Sequence, residues 1–375
     1  MENSQDFASQ DVDRVIVIDG VFFQFFNTGI ARLWREILKR WQNADIGRRI
    51  VLLDRGSLPK VDKLRTIPCP AFSYANWQDD RGVVQEICDS LRAGLFVSTY
   101  YTRPEHTPSV LVVHDMVPER LGFNLTEPMW RQKHDAIRYA SGFVAVSQNT
   151  LTDLRHYFPE TDRVPAIVAS PGVGAEFYPS NPEERRVFDV KFVAPHLDGR
   201  PYFLFVSEPS SHYKNVELLL RALGGAPPSL LSTIAVLFTY KGEIVESFRA
   251  LAGLKVHATR LSDVGLRAAY SSALALIYPS RYEGFGLPLL EAMACGCPVI
   301  CANTSAIREA VGDAALLVQP DDDEKMKAYL LQVQDGAVRE QLSLKGIARA
   351  KLFSWDVMAA KLADFLTVGY GPARR

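Results

Sequence analysis

No stretch of this 375-residue chain approaches the ~18–20 apolar residues of a membrane-spanning helix, because every apolar run breaks within about eight residues. An excess of one charge sign is also missing. Lys and Arg total 42 and Asp and Glu 43, a formal net charge of −1, so nothing marks nucleic acid as the main partner, although local basic clusters are compatible with that balance. Cysteine is sparse. Cys69, Cys88, Cys295, Cys297 and Cys301 are odd in number and lack framework spacing, which fits packed thiols in a reducing compartment. The N-terminal MENSQDFASQDVD has neither the basic nor the apolar stretch of a secretory leader. The expectation is a cytoplasmic protein, peripheral at the inner membrane face at most, touching the membrane surface only transiently. Low-complexity segments and a fixed-period repeat are absent too.

What is present is a globular composition, 47% hydrophobic and 23% charged, on a chain too long for one core and suited to two domains. Short two-sided apolar runs recur: Arg14–Asp19, Ile50–Asp54, Val110–His114, Phe143–Ser147 and Ala166–Ser170, then Tyr202–Ser207, Ile234–Thr239, Leu274–Pro279 and Val299–Ala302. Continuous hydrophobicity means burial on both faces, as in parallel strands covered by helices. Helix-period segments lie between them, at Gly29–Trp41, Met129–Ala140, Val216–Leu223 and Leu266–Ser272. The alternation predicts an α/β protein of two doubly wound sheets, each of about five strands. Pro, charge and turn residues concentrate in Pro179–Arg200, which reads as the linker. That divides the chain into residues 1–185 and 186–354.

In such sheets ligands sit outside the carboxyl ends of the strands. The richest strand end is Pro279–Cys301, PSRYEGFGLPLLEAMACGCPVIC. A Gly284-Phe285-Gly286 loop leads into a helix with Pro288 at its start and Gly296 past its end. Backbone N–H groups at such a helix start favour a phosphate or sugar hydroxyls. Glu283 and Glu291, eight residues apart, each reach a different part of one extended ligand. Either alone reads equally as a partner of the helix dipole; with the Gly-Phe-Gly-Leu-Pro between them the functional reading prevails. His114 ends a buried strand beside Asp115 and reads as functional. Asp321-Asp-Asp323 reads as a solvated helix start rather than a metal site, the cysteines complete no zinc set, and no metal is expected. His106, His134, His156, His196 and His257 read as structural. The aromatic loop Phe22-Phe23-Gln-Phe25-Phe26 reads equally as core or as the lining of a saccharide or lipid-linked acceptor site.

The run Glu283-Gly-Phe-Gly-Leu-Pro-Leu-Leu-Glu291 resembles the E-x7-E motif of retaining GT-B glycosyltransferases of family 4, the group 1 glycosyltransferases of bacterial polysaccharide biosynthesis. Other segments are similar in order: Ile18-Asp-Gly20 with Thr28-Gly-Ile-Ala-Arg32 to the glycine loop and first helix, His114-Asp-Met-Val-Pro-Glu119 to the "HD" motif, and Ala302-Asn-Thr-Ser305 with Gly312–Leu317 to the segment after E-x7-E. The likeness covers residues 14–365. It implies two Rossmann-like domains facing across a cleft, the N-terminal one binding acceptor, the C-terminal one binding nucleotide sugar, with a C-terminal helix within 355–375 returning to the first.

Residue by residue, the resemblance implies that Glu291 holds the ribose hydroxyls and Glu283 the donor sugar. It places the backbone of Gly284, Phe285, Gly286 and Leu287 at the sugar and diphosphate, Lys214 at the diphosphate leaving group and Gly29 at the same phosphate. His114 would sit near the reacting sugar, with Asp115 on the acceptor side. One departure stands out. The family often has an Arg before this Lys, and here Tyr213 precedes Lys214 while Glu208 lies upstream; Arg281, Arg32 or His212 would have to substitute. The implied activity is retaining transfer of a hexose from a nucleotide sugar to a glycan or lipid-linked saccharide, without metal or cofactor, His114, Glu283 and Lys214 being the catalytic set. GDP-mannose is slightly favoured over a UDP-hexose as donor. A nucleotide-sugar epimerase or hydrolase on the same fold, a pyridoxal-phosphate phosphorylase and a non-catalytic nucleotide-sugar-binding protein are the alternatives.

Overall fold

A computed structural model describes residues 14–25, 28–207, 211–240 and 244–367. It divides the chain into two compact units, one running to Pro171 and resuming at Trp355, the other Gly172–Ser354.

The first unit is built on strands β1 (Val15–Asp19), β2 (Ile50–Asp54), β3 (Arg65–Pro68), β4 (Ala93–Ser98), β5 (Ser109–Val113), β6 (Gly142–Ala145) and β7 (Ala166–Val168). They form a seven-stranded sheet in the order β3-β2-β1-β4-β5-β6-β7, every pair parallel. Strands such as Val110–Val113 are buried on both sides, the physical origin of their unbroken apolar sequence. Helix α1 (Gly29–Trp41) follows β1 and α2 (Pro128–Tyr139) lies between β5 and β6. The last helix, Trp355–Thr367, packs on α1, with the Trp41 indole N–H donating to the Ala359 carbonyl at 3.0 Å and Arg40 meeting Asp356 at 2.6 Å.

The second unit contains β8 (Tyr202–Phe205), β9 (Ala235–Phe238), β10 (Lys255–Ala258), β11 (Ala275–Tyr278), β12 (Val299–Ala302) and β13 (Leu316–Val318), in the parallel order β10-β9-β8-β11-β12-β13. Both sheets have a switch point where the winding reverses, between β1 and β4 in the first and between β8 and β11 in the second. Ligands bind at such points, outside the strands' carboxyl ends.

The segment Pro179–Arg200 is not a linker. It forms helix α3 (Pro182–Phe188), a π turn at Asp189–Val193 and a short helix at Ala194–Leu197. Its proline and charges are helix-start chemistry: Asn181 and Glu184 make a reciprocal capping box with Pro182 at the first position. Phe188, Val193 and Leu197 bury one side, and Arg267 meets Glu184 at 2.7 Å. The units accordingly divide after Pro171 rather than at 185/186.

Candidate functional site

The loops after β8 and β11 leave the second sheet on either side of its switch point. The first ends in a single 3-10 turn, His212–Lys214, and then Asn215 in the left-handed region with φ 53°. Asn215 is buried, and its amide donates to the Pro279 carbonyl at 3.1 Å and the Pro320 carbonyl at 2.8 Å, tying this turn to the ends of β11 and β13. The Arg281 N–H donates to the Tyr213 carbonyl at 2.7 Å. So fixed, Lys214 reaches across to Glu283, Nζ to Oε1 2.7 Å, with only 14% and 12% of the two side chains exposed. The ammonium also lies 4.7 Å from the Tyr213 ring centre and 5.6 Å from that of Tyr278. Burial by itself pushes the Lys214 pKa down, but the Glu283 carboxylate, Tyr278 and Tyr213 outweigh it and hold the pKa well above the ordinary value. Burial, and then the same carboxylate, push the Tyr278 phenol well up.

From Glu283 the chain turns through Gly284–Gly286 into α4 (Leu287–Ala294). Gly286 has φ +99°, and a Cβ there would lie 2.8 Å from Leu289 Cδ1, so the turn requires glycine. The Glu283 N–H donates to Ser305 Oγ at 2.9 Å, and Phe285 is buried edge-on to Phe353 at 5.6 Å between ring centres. Glu291, one turn into the helix, is buried and accepts a hydrogen bond from the Tyr270 hydroxyl at 3.3 Å. Thus Lys214, Glu283 and the Gly284–Leu287 turn belong to one locus, with Glu291 on the helix that leaves it.

Arg281, expected at the donor, is instead engaged at the surface by Asp321 at 2.5 and 3.2 Å. That accounts for part of the acidic run: Asp323 pairs with Arg221 at 2.9 Å and Asp322 caps α5 (Asp323–Gln332) through the Lys325 N–H. All five cysteines are buried free thiols. Glu208 lies outside the described residues.

In the first unit His114 follows β5 directly. It is 7% exposed, its Nε2 has no hydrogen-bond partner among the described residues, and burial together with the Lys133 charge lowers its pKa to about 3. The Asp115 carboxylate accepts the Val117 N–H at 3.0 Å. Sequence reasoning missed what lies beneath. Lys133 on α2, fully buried, donates to the Asp115 carbonyl at 3.1 Å and to Glu119 Oε2 at 2.7 Å, while Glu119 Oε1 pairs with His134 Nε2 at 2.9 Å. His134, which reads as structural in the sequence, is thus a partner of Glu119. The signal was available: Lys133 falls three and four residues before Ala136 and Ile137, on the buried face of α2.

Gly29 opens α1 behind Thr28. The preceding aromatic loop forms a helical turn at Phe22–Phe25; Phe22 lies 5.0 Å from Tyr100 and Phe25 stacks on Tyr74 at 5.3 Å, whereas Phe26 lies outside the described residues. At the switch point of this sheet, buried Asp19 takes Arg55 bidentately at 2.7 Å and the Thr102 hydroxyl at 2.7 Å, and Arg55 goes on to Asp80 at 2.8 Å. This network, also unforeseen, fixes the ends of β1, β2 and β4.

Two Rossmann-like parallel-sheet domains of seven and six strands define the GT-B fold. The chain is similar over 95% of its length to the whole of WaaG, whose structure is described as that of a glycosyltransferase involved in lipopolysaccharide biosynthesis, with TM-score 0.74 and 17% identity. Residues 188–349 match the family described as glycosyl transferases group 1. It is 30% identical over 238 residues to the O-antigen chain mannosyltransferase B of Escherichia coli, covering 61% of each chain. It is 27% identical over 263 residues, 66% of this chain, to the serotype-specific mannosyltransferase WbdA of Escherichia coli. The chain thus spans 61% of the first relative's length and 32% of the second's.

Proposed function

We propose that this protein is a retaining, metal-independent glycosyltransferase that moves a hexose from a nucleotide sugar to a glycan or lipid-linked saccharide in polysaccharide biosynthesis, with GDP-mannose as donor ahead of a UDP-hexose. The observation that carries the reading is the Lys214–Glu283 pair, 2.7 Å apart beside the start of α4 at the switch point of the second sheet. The preference for mannose rests on relatives named as mannosyltransferases.

The chemistry follows from charge. As the bond between the anomeric carbon and the diphosphate oxygen breaks, negative charge grows on the leaving diphosphate. A fixed ammonium and a helix start oppose that charge where it develops and stabilise the transition state more than the ground state. Lys214 would exchange its partner Glu283 for phosphate, freeing the carboxylate to accept hydroxyls of the donor sugar and to face positive charge on the anomeric carbon. Glu291 would accept the ribose hydroxyls. The acceptor oxygen would bond to the anomeric carbon on the face the diphosphate leaves, and its proton would pass to the departing phosphate oxygen, so no side chain need act as base. His114, neutral near pH 7, would hydrogen-bond a sugar hydroxyl without attracting phosphate.

The test is a thermal-shift screen of GDP- and UDP-sugars followed by a transfer assay. The true donor raises the melting temperature by mass action and yields a labelled glycan only when a saccharide acceptor is present. Turnover without acceptor would instead mean an epimerase or hydrolase. Binding with no turnover under any acceptor would mean a non-catalytic binding protein.

A further inference from the structure

Lys133 is a fully buried ammonium in the first unit, and the two acceptors it donates to are unequal in kind. One is the Glu119 carboxylate at 2.7 Å, which neutralises it; the other is the backbone carbonyl of Asp115 at 3.1 Å, which needs no neutralising. Asp115 is the residue that turns the chain out of β5 directly after His114. A buried ion pair is weak evidence for stability, since well-packed apolar residues of similar volume often serve as well or better. The second contact shows what the charge achieves in this place: it clamps the carbonyl of the turn that carries His114. The Nε2 of buried His114 in turn lacks a partner among the described residues, and a buried polar atom left so costs free energy unless a ligand completes it.

We propose that Lys133 is a positioning residue for His114: anchored on Glu119, it holds the Asp115 carbonyl and thereby aims the unpartnered His114 Nε2 at a hydroxyl of the hexose substrate. The proposal rests on the glycosyltransferase reading for the identity of that ligand and on the geometry for everything else. Lys133 itself touches no substrate. Its charge also works on the ring, because with burial it keeps His114 neutral. A neutral imidazole pairs with a hydroxyl, while an imidazolium would attract phosphate. The titratable and charged groups around this turn are Lys133 and His134 on α2, Asp115 and Glu119 after β5, and Tyr100 and Tyr101 after β4.

The experiment is a double-mutant cycle on the full chain. Lys133→Met alone would leave the Glu119 carboxylate with His134 in place of the ammonium, so the pair is removed together as Lys133→Met/Glu119→Leu, with retention of fold checked by thermal unfolding. The expected result is that pair removal lowers kcat/KM by up to about 10²-fold, the scale of a displaced contact, and has less than about a threefold further effect in a His114→Asn background, because both changes act through one contact. Fold losses that multiply would overturn the proposal. A second readout needs no activity: in ring-nitrogen NMR spectra, with His114 signals assigned by His114→Asn, the His114 titration midpoint moves up on pair removal. An unmoved midpoint with unchanged ring shifts would also overturn it. If the wild-type protein transfers no sugar, the glycosyltransferase reading fails by itself and the NMR measurement alone decides the role of Lys133.

Discussion

Lys214 and Glu283 stand 69 residues apart in the chain and meet at 2.7 Å on opposite sides of a sheet switch point. Each loop brings one of the two charges. The pair exists because Asn215 ties the first loop to the end of β11 and Ser305 holds the backbone of Glu283.

The first prediction separates stability from function at this pair. Lys214→Met leaves a largely buried carboxylate unpaired and lowers stability, by as much as about 3–5 kcal/mol if solvent screens it no better than in a fully buried pair. Adding Glu283→Leu restores most of that loss. Activity does not return: kcat/KM stays about 10²–10³ below wild type in both, the scale of one well-placed charge contact. Chemical denaturation and steady-state kinetics on the three proteins check it.

The second concerns the cation missing from before Lys214. Arg281 is held by Asp321 at the exposed rim, and a surface pair of this kind contributes little. Asp321→Asn should therefore release Arg281 toward the diphosphate and lower the donor KM, and Arg281→Ala should raise it. Equal donor KM values in both variants would remove Arg281 from the donor site.

The third is a pH dependence. The folded pKa of His114 is depressed from 6.5 to about 3. Between those values the unfolded chain binds a proton that the folded chain does not, so stability present above about pH 6.5 is lost as pH falls toward 3. Urea midpoints measured between pH 7 and pH 5 should fall more steeply for wild type than for His114→Asn. Lys214 has the opposite sign: its pKa is raised, so its stabilisation is fully present below the unfolded lysine value and is lost only as pH rises through the folded one.

The fourth tests the turn. Gly286→Ala forces a Cβ to within 2.8 Å of Leu289 Cδ1 at φ +99°, a strain of about 1–3 kcal/mol. It should reduce donor affinity along with stability, since the displaced backbone is the part expected to meet phosphate. Wild-type donor affinity in this variant would separate the turn from the site.

Much of the fold was legible because buried parallel strands write themselves as continuous apolar runs: all nine such segments form strands, from Val15–Asp19 to Val299–Ala302. The four that were not read are β3, β4, β10 and β13. β3 and β10 are edge strands with partly or fully exposed side chains such as Arg65 and Lys255, which dilute the pattern. β4 opens on Ala93-Gly94 and β13 has only three residues. The helix Gly29–Trp41 was visible from its periodicity, the helix Trp355–Thr367 was expected within 355–375 only from the resemblance, and α3 reads as a linker because capping residues and turn residues are the same amino acids. At the site, the E-x7-E spacing pointed to Glu283 and Glu291, but no spacing rule connects Lys133 to Asp115 or Arg55 to Asp19. Those contacts are made by tertiary packing between strand ends and helices, and sequence distance carries no trace of them.

The most direct test is calorimetric binding of GDP and of guanosine to wild type and to Lys214→Met/Glu283→Leu, with UDP and uridine alongside. The diphosphate of the preferred nucleotide should lose at least about tenfold in affinity, one charge contact or about 1.4 kcal/mol, while its nucleoside binds both proteins alike. Unchanged nucleoside-diphosphate affinity in the double variant would contradict it.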